Sequence, residues 1–181
     1  KNDNIICLYG PSHAEEVVSE IPTALVASST SINNARLIQD VFSNKYLRLY
    51  SNNDIIGVEI GGAIKNIISI AAGITVGVGF GDNTLAALIT RGIAEIKRLG
   101  MAMNAQEKTF LGLSGIGDLI VTATSEHSRN RQLGYSIGKG KKLKDIIVEL
   151  NMVAEGVDTC KAIFKLSRKL KIKMPICEIF V

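Results

Sequence analysis

The sequence has no tryptophan, and aromatic residues fill only 5% of its 181 positions. Its core therefore has to be built from Ile, Leu, Val and Ala, within a hydrophobic content of 46%. Cysteine is scarce: Cys7, Cys160 and Cys177 are odd in number and far apart, with no CxxC and no Cys/His cluster. That excludes a zinc site and disulfide exchange, leaves no metal to expect, and makes a reducing cytoplasm the simplest setting. No apolar h-region or small-residue cleavage site follows Lys1-Asn2-Asp3-Asn4, so no secretory leader is read there. A dominant charge is missing as well. The 21 Lys+Arg against 17 Asp+Glu leave +4, too mild a field to imply nucleic acid but compatible with a small anionic ligand. Repeats and low-complexity tracts are absent. Mean hydropathy of +0.23 with 21% charged residues is a globular composition and excludes intrinsic disorder. The length fits one domain, or one domain with part of another.

The most apolar stretch, residues 55–80, has the length of a membrane span but not its purity. Glu59, Lys65 and Asn66 interrupt it, and a central lysine alone costs roughly 2.5–3.5 kcal/mol on insertion. Gly57, Gly61, Gly62, Gly73, Gly77 and Gly79 weaken a lone lipid-facing helix further. The expectation is a helix buried in protein, with no membrane span.

The pattern changes near residue 50. Before it, short apolar runs at 5–9, 23–28 and 46–50 read as strands, separated by helices at 13–20 and 31–42, the second capped by Ser31. After it the chain reads as helices: 55–75, then one capped by Asp82-Asn83 and closed by Gly100, then about 115–123, 129–138, 142–150 and 155–170. Asn104 with Glu107 has capping-box spacing, and Pro175 interrupts the terminal segment. Lys139 to Lys144 is a solvated basic link. No strand–GxGxxG–helix unit occurs, and three strands do not complete a doubly wound domain. The expected fold class is mostly α: a multi-helix domain over 51–181, preceded at 1–50 by the last α/β elements of a Rossmann-like domain.

Chemistry has few places to sit. Lys65 lies on a helix otherwise fit only for burial, where an unpaired ammonium is costly and desolvation favours the neutral, proton-accepting form. From this window alone, a lysine whose head snorkels to the surface is the plainer reading. The adjacent Asn66 shifts it toward a site, because packing needs no amide there. Asp118 and Thr122 are four apart and share a helical face. They orient a lysine and a substrate hydroxyl on one reading; on the other, Asp118 is a first-turn acid favoured by the helix dipole. Ser128-Arg129-Asn130-Arg131 opens a helix with a hydroxyl, an amide and guanidinium groups, which suits a phosphate and equally a solvated loop. Gly10-Pro11-Ser12 ends a strand, either as a bare turn or as a ligand contact.

Taken in order, Gly10-Pro11-Ser12-His13-Ala14-Glu15-Glu16-Val17, Gly57-Val58-Glu59-Ile60 running into Ala63-Ile64-Lys65-Asn66, Gly79-Phe80-Gly81-Asp82-Asn83-Thr84, Gly115-Ile116-Gly117-Asp118-Leu119, Ser128-Arg129-Asn130-Arg131 and Val153-Ala154-Glu155-Gly156-Val157 resemble bacterial NAD(P)-dependent glycerol-3-phosphate dehydrogenase. The resemblance covers essentially the whole chain. It implies reduction of dihydroxyacetone phosphate to sn-glycerol 3-phosphate, and the reverse, with NADH or NADPH, as a step toward phospholipid precursors. It implies Lys65 as general acid/base oriented by Asp118, with Asn66 and Thr122 beside them and Ser128, Arg129 and Asn130 on the substrate phosphate. Gly10 and Ser12 would touch substrate, while Ala14, Arg129, Val153 and Glu155 would border NAD or NADP. The family's Gly-rich nucleotide loop and a second substrate lysine have no counterpart in this sequence, so the chain alone is expected neither to bind NAD(P)H tightly nor to turn over. The apolar content permits a homodimer. Other Rossmann reductases, of β-hydroxyacid or ketopantoate type, share a Lys-Asn pair, and Ser128-Arg129-Asn130-Arg131 argues against them through its fitness for phosphate. A non-catalytic helical interaction module would scatter these residues.

Overall fold

The computed structural model describes residues 5–149 and 155–179, with side chains throughout except at 155–158. In chain order the elements are β1 (Cys7–Tyr9), α1 (Ala14–Val18), β2 (Thr23–Ser28), α2 (Ile32–Phe42), β3 (Leu47–Asn52) and α3 (Ile55–Gly77). After these come α4 (Asp82–Ala102), α5 (Glu107–Phe110), a π-helical turn (Leu113–Gly117), α6 (Asp118–Thr124), α7 (Arg129–Gly138), α8 (Leu143–Glu149), α9 (Glu155–Lys169) and α10 (Pro175–Glu178). The mostly helical class read from the sequence is the one observed.

Packing divides the chain into two compact units, Lys1–Gly62 with Gly100–Asp118, and Ala63–Leu99 with Leu119–Val181.

The first unit is built on a three-stranded sheet of order β1-β2-β3. β1 runs antiparallel to β2, with Cys7 opposite Ser28 and Tyr9 opposite Val26. β2 and β3 are parallel, from Thr23 beside Leu47 to Ser28 beside Asn52, and α2 makes the crossover that parallel strands need. Ser31 caps α2 as expected, its hydroxyl accepting from the Asn34 N–H at 3.5 Å. One buried carboxylate ties two helices together. Asp54 accepts from Gly57 N–H at the start of α3 (3.0 Å), and from Gln106 N–H (2.8 Å) and the Thr109 hydroxyl (2.6 Å) around α5. The π turn lies against α3: a Cβ on Gly61 would stand 2.7 Å from the Ser114 carbonyl oxygen.

The second unit buries Ile64, Ile67, Ile68, Ile96, Leu99, Leu119 and Ile146 completely. α7 lies close along α3 because glycines face each other there: Gly73 meets the backbone of residues 131–135, Gly134 meets the Ile70 carbonyl, and Gly138 meets Ile74 and Gly77. Leu133 and Ile146 complete a small core against Ile70. From α4, the buried Glu95 accepts from the Ile176 and Cys177 N–H groups at 2.8 and 3.3 Å and so caps α10. α3 is long and apolar enough to cross a membrane by length and composition, and 61% of its most apolar window is buried inside the protein, as expected for a core helix.

Several local expectations need correction. Gly100 does not close α4, which continues to Ala102; the bare face of Gly100 is filled instead by the Phe110 ring. Asn104 is not a helix start: it takes φ +65° just past α4, where the Ala105 N–H returns to the Gly100 carbonyl at 2.9 Å. Asn is one of the few residues other than glycine that accepts this conformation readily. α5 has Gln106 at its cap, with no side-chain capping bond. α4 is opened by the Gly81 carbonyl, which accepts from Thr84 and Leu85 N–H, so Asp82 belongs to its first turn. The helix expected at 115–123 is a π turn followed by α6, and Pro175 begins a helix, as proline does at a first helical position.

Candidate functional site

In the second unit, α7 is positioned by its cap. The Ser128 hydroxyl accepts from Arg131 N–H at 3.3 Å, and the loop before it is fixed by Ser128 N–H to the Ser125 carbonyl, 3.3 Å. Arg129 and Asn130 occupy the first turn, whose N–H groups an α-helix leaves without an intrahelical acceptor. The end of α7 therefore carries partial positive charge, reinforced by the exposed Arg129 guanidinium. Ser128 is 5% exposed, and a hydroxyl that accepts one bond still has its proton to donate. Arg131 is half-buried, and its Nε has no hydrogen-bond partner among the described residues.

The glycine seam sets the register of α7 on α3. Ile70 faces Gly134, and Ile74 faces Gly138; four residues on one helix match four on the other, so the two run parallel. The same step taken toward the N-termini reaches Asn66 and Asn130. On that register Asn66 falls beside Asn130, and Lys65, half-buried as Asn66 is, precedes it on α3. Lys65 is not sealed in the core as Ile64, Ile67 and Ile68 are; its carbonyl accepts from the Ser69 hydroxyl at 2.8 Å. Thr122 lies on α6 in the same unit and is 8% exposed.

Of the remaining candidates, Gly10, Ser12, Ala14 and Asp118 lie in the first unit. Gly10 is buried and has φ +146°, and a Cβ there would stand 3.1–3.2 Å from Leu25 and the Ala24 carbonyl, so the turn after β1 requires glycine. The Ser12 hydroxyl donates to the Gly10 carbonyl at 3.1 Å. Ala14 is exposed at the start of α1. Asp118 is 2% exposed at the junction of the π turn and α6. Val153 lies outside the described residues; Glu155 begins α9, and its side chain is outside them too.

Sequence reading passed over Tyr9. Its ring fills the space against Gly62 of α3. Burial, followed by the charges of Cys7, Glu59 and Asp118, holds its phenol above the ordinary range. Cys7 donates to the Glu59 carboxylate at 3.4 Å; burial first, then that bond and the carboxylate's charge, push the thiol up to about 11. A tyrosine before a glycine turn carries no motif, and only the pairing of Gly62 with an aromatic ring would have marked it.

No group of three or more His, Cys, Asp or Glu able to hold a metal occurs among the described residues, and the three cysteines are free. For a dinucleotide, the second unit offers the Arg129 cation at a helix N-terminus.

The fold is that of glycerol-3-phosphate dehydrogenase chains. The Coxiella burnetii glycerol-3-phosphate dehydrogenase structure superposes with TM-score 0.93 at 36% identity, over 97% of this chain and 54% of that one. The Saccharomyces cerevisiae enzyme does so with TM-score 0.85 at 25% identity, over 96% and 53%. The family model described as NAD-dependent glycerol-3-phosphate dehydrogenase C-terminus matches residues 54–181, and the chain belongs to that family. Relatives named glycerol-3-phosphate dehydrogenase (NAD(P)+) include those of Clostridium botulinum, 54% identical over 178 residues, and Geobacillus kaustophilus, 57% identical over 176. These alignments take in 98% and 97% of this chain but 54% and 51% of the relatives, so the chain spans about half the length of the curated relatives it matches.

Proposed function

We propose that this chain is the substrate-binding and catalytic part of an enzyme that interconverts dihydroxyacetone phosphate and sn-glycerol 3-phosphate with NADH or NADPH, in a reducing cytoplasm, toward phospholipid precursors. The observation that carries the reading is the parallel register of α3 and α7, which supports Asn66, next to Lys65, lying toward a helix N-terminus suited to a phosphate. Arg129, Asn130 and the Ser128 hydroxyl bind the phosphate through charge and first-turn N–H groups. Asn66 holds the hydroxyl end of the substrate. Lys65, as an ammonium, stabilises the negative charge that grows on the carbonyl oxygen and passes it a proton; in the reverse direction it takes that proton back. Asp118 orients Lys65, and Thr122 steadies the pair. A bound nicotinamide supplies or accepts the hydride. Gly10 and Ser12 border the substrate; Ala14, Arg129, Val153 and Glu155 border the nucleotide. The apolar helical surface is compatible with a homodimer.

The expected consequence of Arg129→Ala in the full-length enzyme is a KM for dihydroxyacetone phosphate raised about tenfold or more, the worth of a charge-assisted bond. Steady-state NADH oxidation reads it. An unchanged KM would remove the phosphate from α7.

A further inference from the structure

In the second unit α3 and α7 end side by side, Gly77 against Gly138, and they end in the same way. After α3, Gly79 takes φ +95°; its N–H donates to the Val76 carbonyl at 3.0 Å, and that of Phe80 to Thr75 at 3.1 Å. After α7, Gly140 takes φ +84°; its N–H donates to the Ile137 carbonyl at 2.8 Å, and that of Lys141 to Ser136 at 3.1 Å. Both are Schellman turns, which need the left-handed freedom of glycine. Two parallel helices thus finish in matched turns, with Phe80 and Lys141 at the same place in each.

The residue after the glycine of such a turn ordinarily packs back on its own helix. Phe80 does not. It is 60% exposed, and Val78 in the same turn is 53% exposed. A Cβ on Gly79, Gly81 or Gly140 would meet nothing within 4 Å, so both tips face open space, where a flat surface can come against the backbone. The two turn hydrogen bonds hold Phe80 in that position.

The neighbouring tip is basic. Lys139, Lys141, Lys142 and Lys144 are all exposed, with no acid among residues 139–144. Lys139 stands over the Tyr135 ring at 5.4 Å from its centroid, and Lys141 pairs with Glu149 at 2.6 Å. The other carboxylates near in sequence are Asp82 and Asp145. Lysines at a helix C-terminus also balance its dipole, a role that asks for no aromatic side chain in solvent beside them.

Two exposed apolar side chains are too few for the buried centre of a protein interface, and two copies meeting here would bring lysines against lysines. An apolar tip beside a basic one is the combination that holds a protein on an anionic bilayer, where the apolar group enters the headgroup region and the cations meet lipid charge. We propose that this end of the α3–α7 pair is a peripheral docking surface for an anionic lipid membrane. Phe80 and Val78 insert, and Lys139 and Lys142 lie against the headgroups.

The test is co-sedimentation of the full-length enzyme with vesicles of phosphatidylcholine alone and of phosphatidylcholine mixed with phosphatidylglycerol. Binding is expected to the mixed vesicles only, and added salt should release it. Phe80→Ser should weaken it about tenfold or more, and Lys139→Gln and Lys142→Gln about fivefold each. These side chains are exposed and stand outside the proposed catalytic groups, so melting temperature and vesicle-free NADH oxidation should not change. That separates failure here from failure of the catalytic reading. No binding, equal binding to both vesicles, or binding that survives Phe80→Ser and both lysine changes would overturn the proposal. So would a vesicle-free mass that falls in Phe80→Ser, because the tip would then be a contact between proteins.

Discussion

Lys65 was legible because a charge inside an apolar run has to be explained, and Asn66 because a second polar group beside it compounds the cost. Lys65 is half-buried and not sealed, in keeping with the snorkelling that its window favoured, although how far it is exposed depends on neighbours distant in sequence. Tyr9 escaped for the same reason, since its partner Gly62 is 53 positions away. Ser128 was read for its chemistry, and the structure adds a second duty as the cap of α7. Ser128→Ala should therefore lower stability by about 1 kcal/mol, read by urea unfolding, in addition to weakening phosphate binding. A loss of binding with no loss of stability would mean the cap contributes nothing. The thiols give a pH dependence. Burial pushes Cys160 up to about 11, and Cys7 is raised as far, both above the ordinary 9.0. Between pH 9 and 11 the unfolded chain releases protons that the folded chain keeps, so stability present below pH 9 is lost as pH rises through that window. Melting temperature should fall there, and less steeply in a Cys7→Ala/Cys160→Ala variant; equal slopes would contradict the assignment.

At the scale of elements, the sequence yielded β2, α2, α7 and the long α3 almost to the residue, because caps, apolar period and strand composition agree locally. It misread Gly100 and Asn104, where a tertiary contact and a left-handed turn overrode a plain stop signal and a plain start signal. The glycines of α3 and α7 looked like weak points of helices but form the seam that brings α7 close. Gly134→Ala would press a methyl into the Ile70 carbonyl, at an expected cost of about 1–3 kcal/mol. Because the seam sets the register of Asn130 on Asn66, KM for dihydroxyacetone phosphate should rise more than kcat falls. An unchanged KM would show that the anchor does not depend on the seam. Asp54→Ala strands the donors of Gly57, Gln106 and Thr109, and urea denaturation should register a loss of about 3 kcal/mol.

For the whole molecule, the sequence gives the order of an α/β segment and a helical one but not the two compact units, each assembled from separated stretches. Residues 100–118 belong with the sheet only through contacts such as those of Asp54 and Gly61, and pattern along a chain does not report contacts across it. The central claim is that one ammonium serves the chemistry while α7 serves the phosphate. It is tested most directly by Lys65→Ala in the full-length enzyme, with kcat followed as NADH oxidation and folding followed by circular dichroism. The account predicts a fall in kcat of about a hundredfold or more with the spectrum and melting temperature retained. A variant that keeps the parent kcat would contradict it.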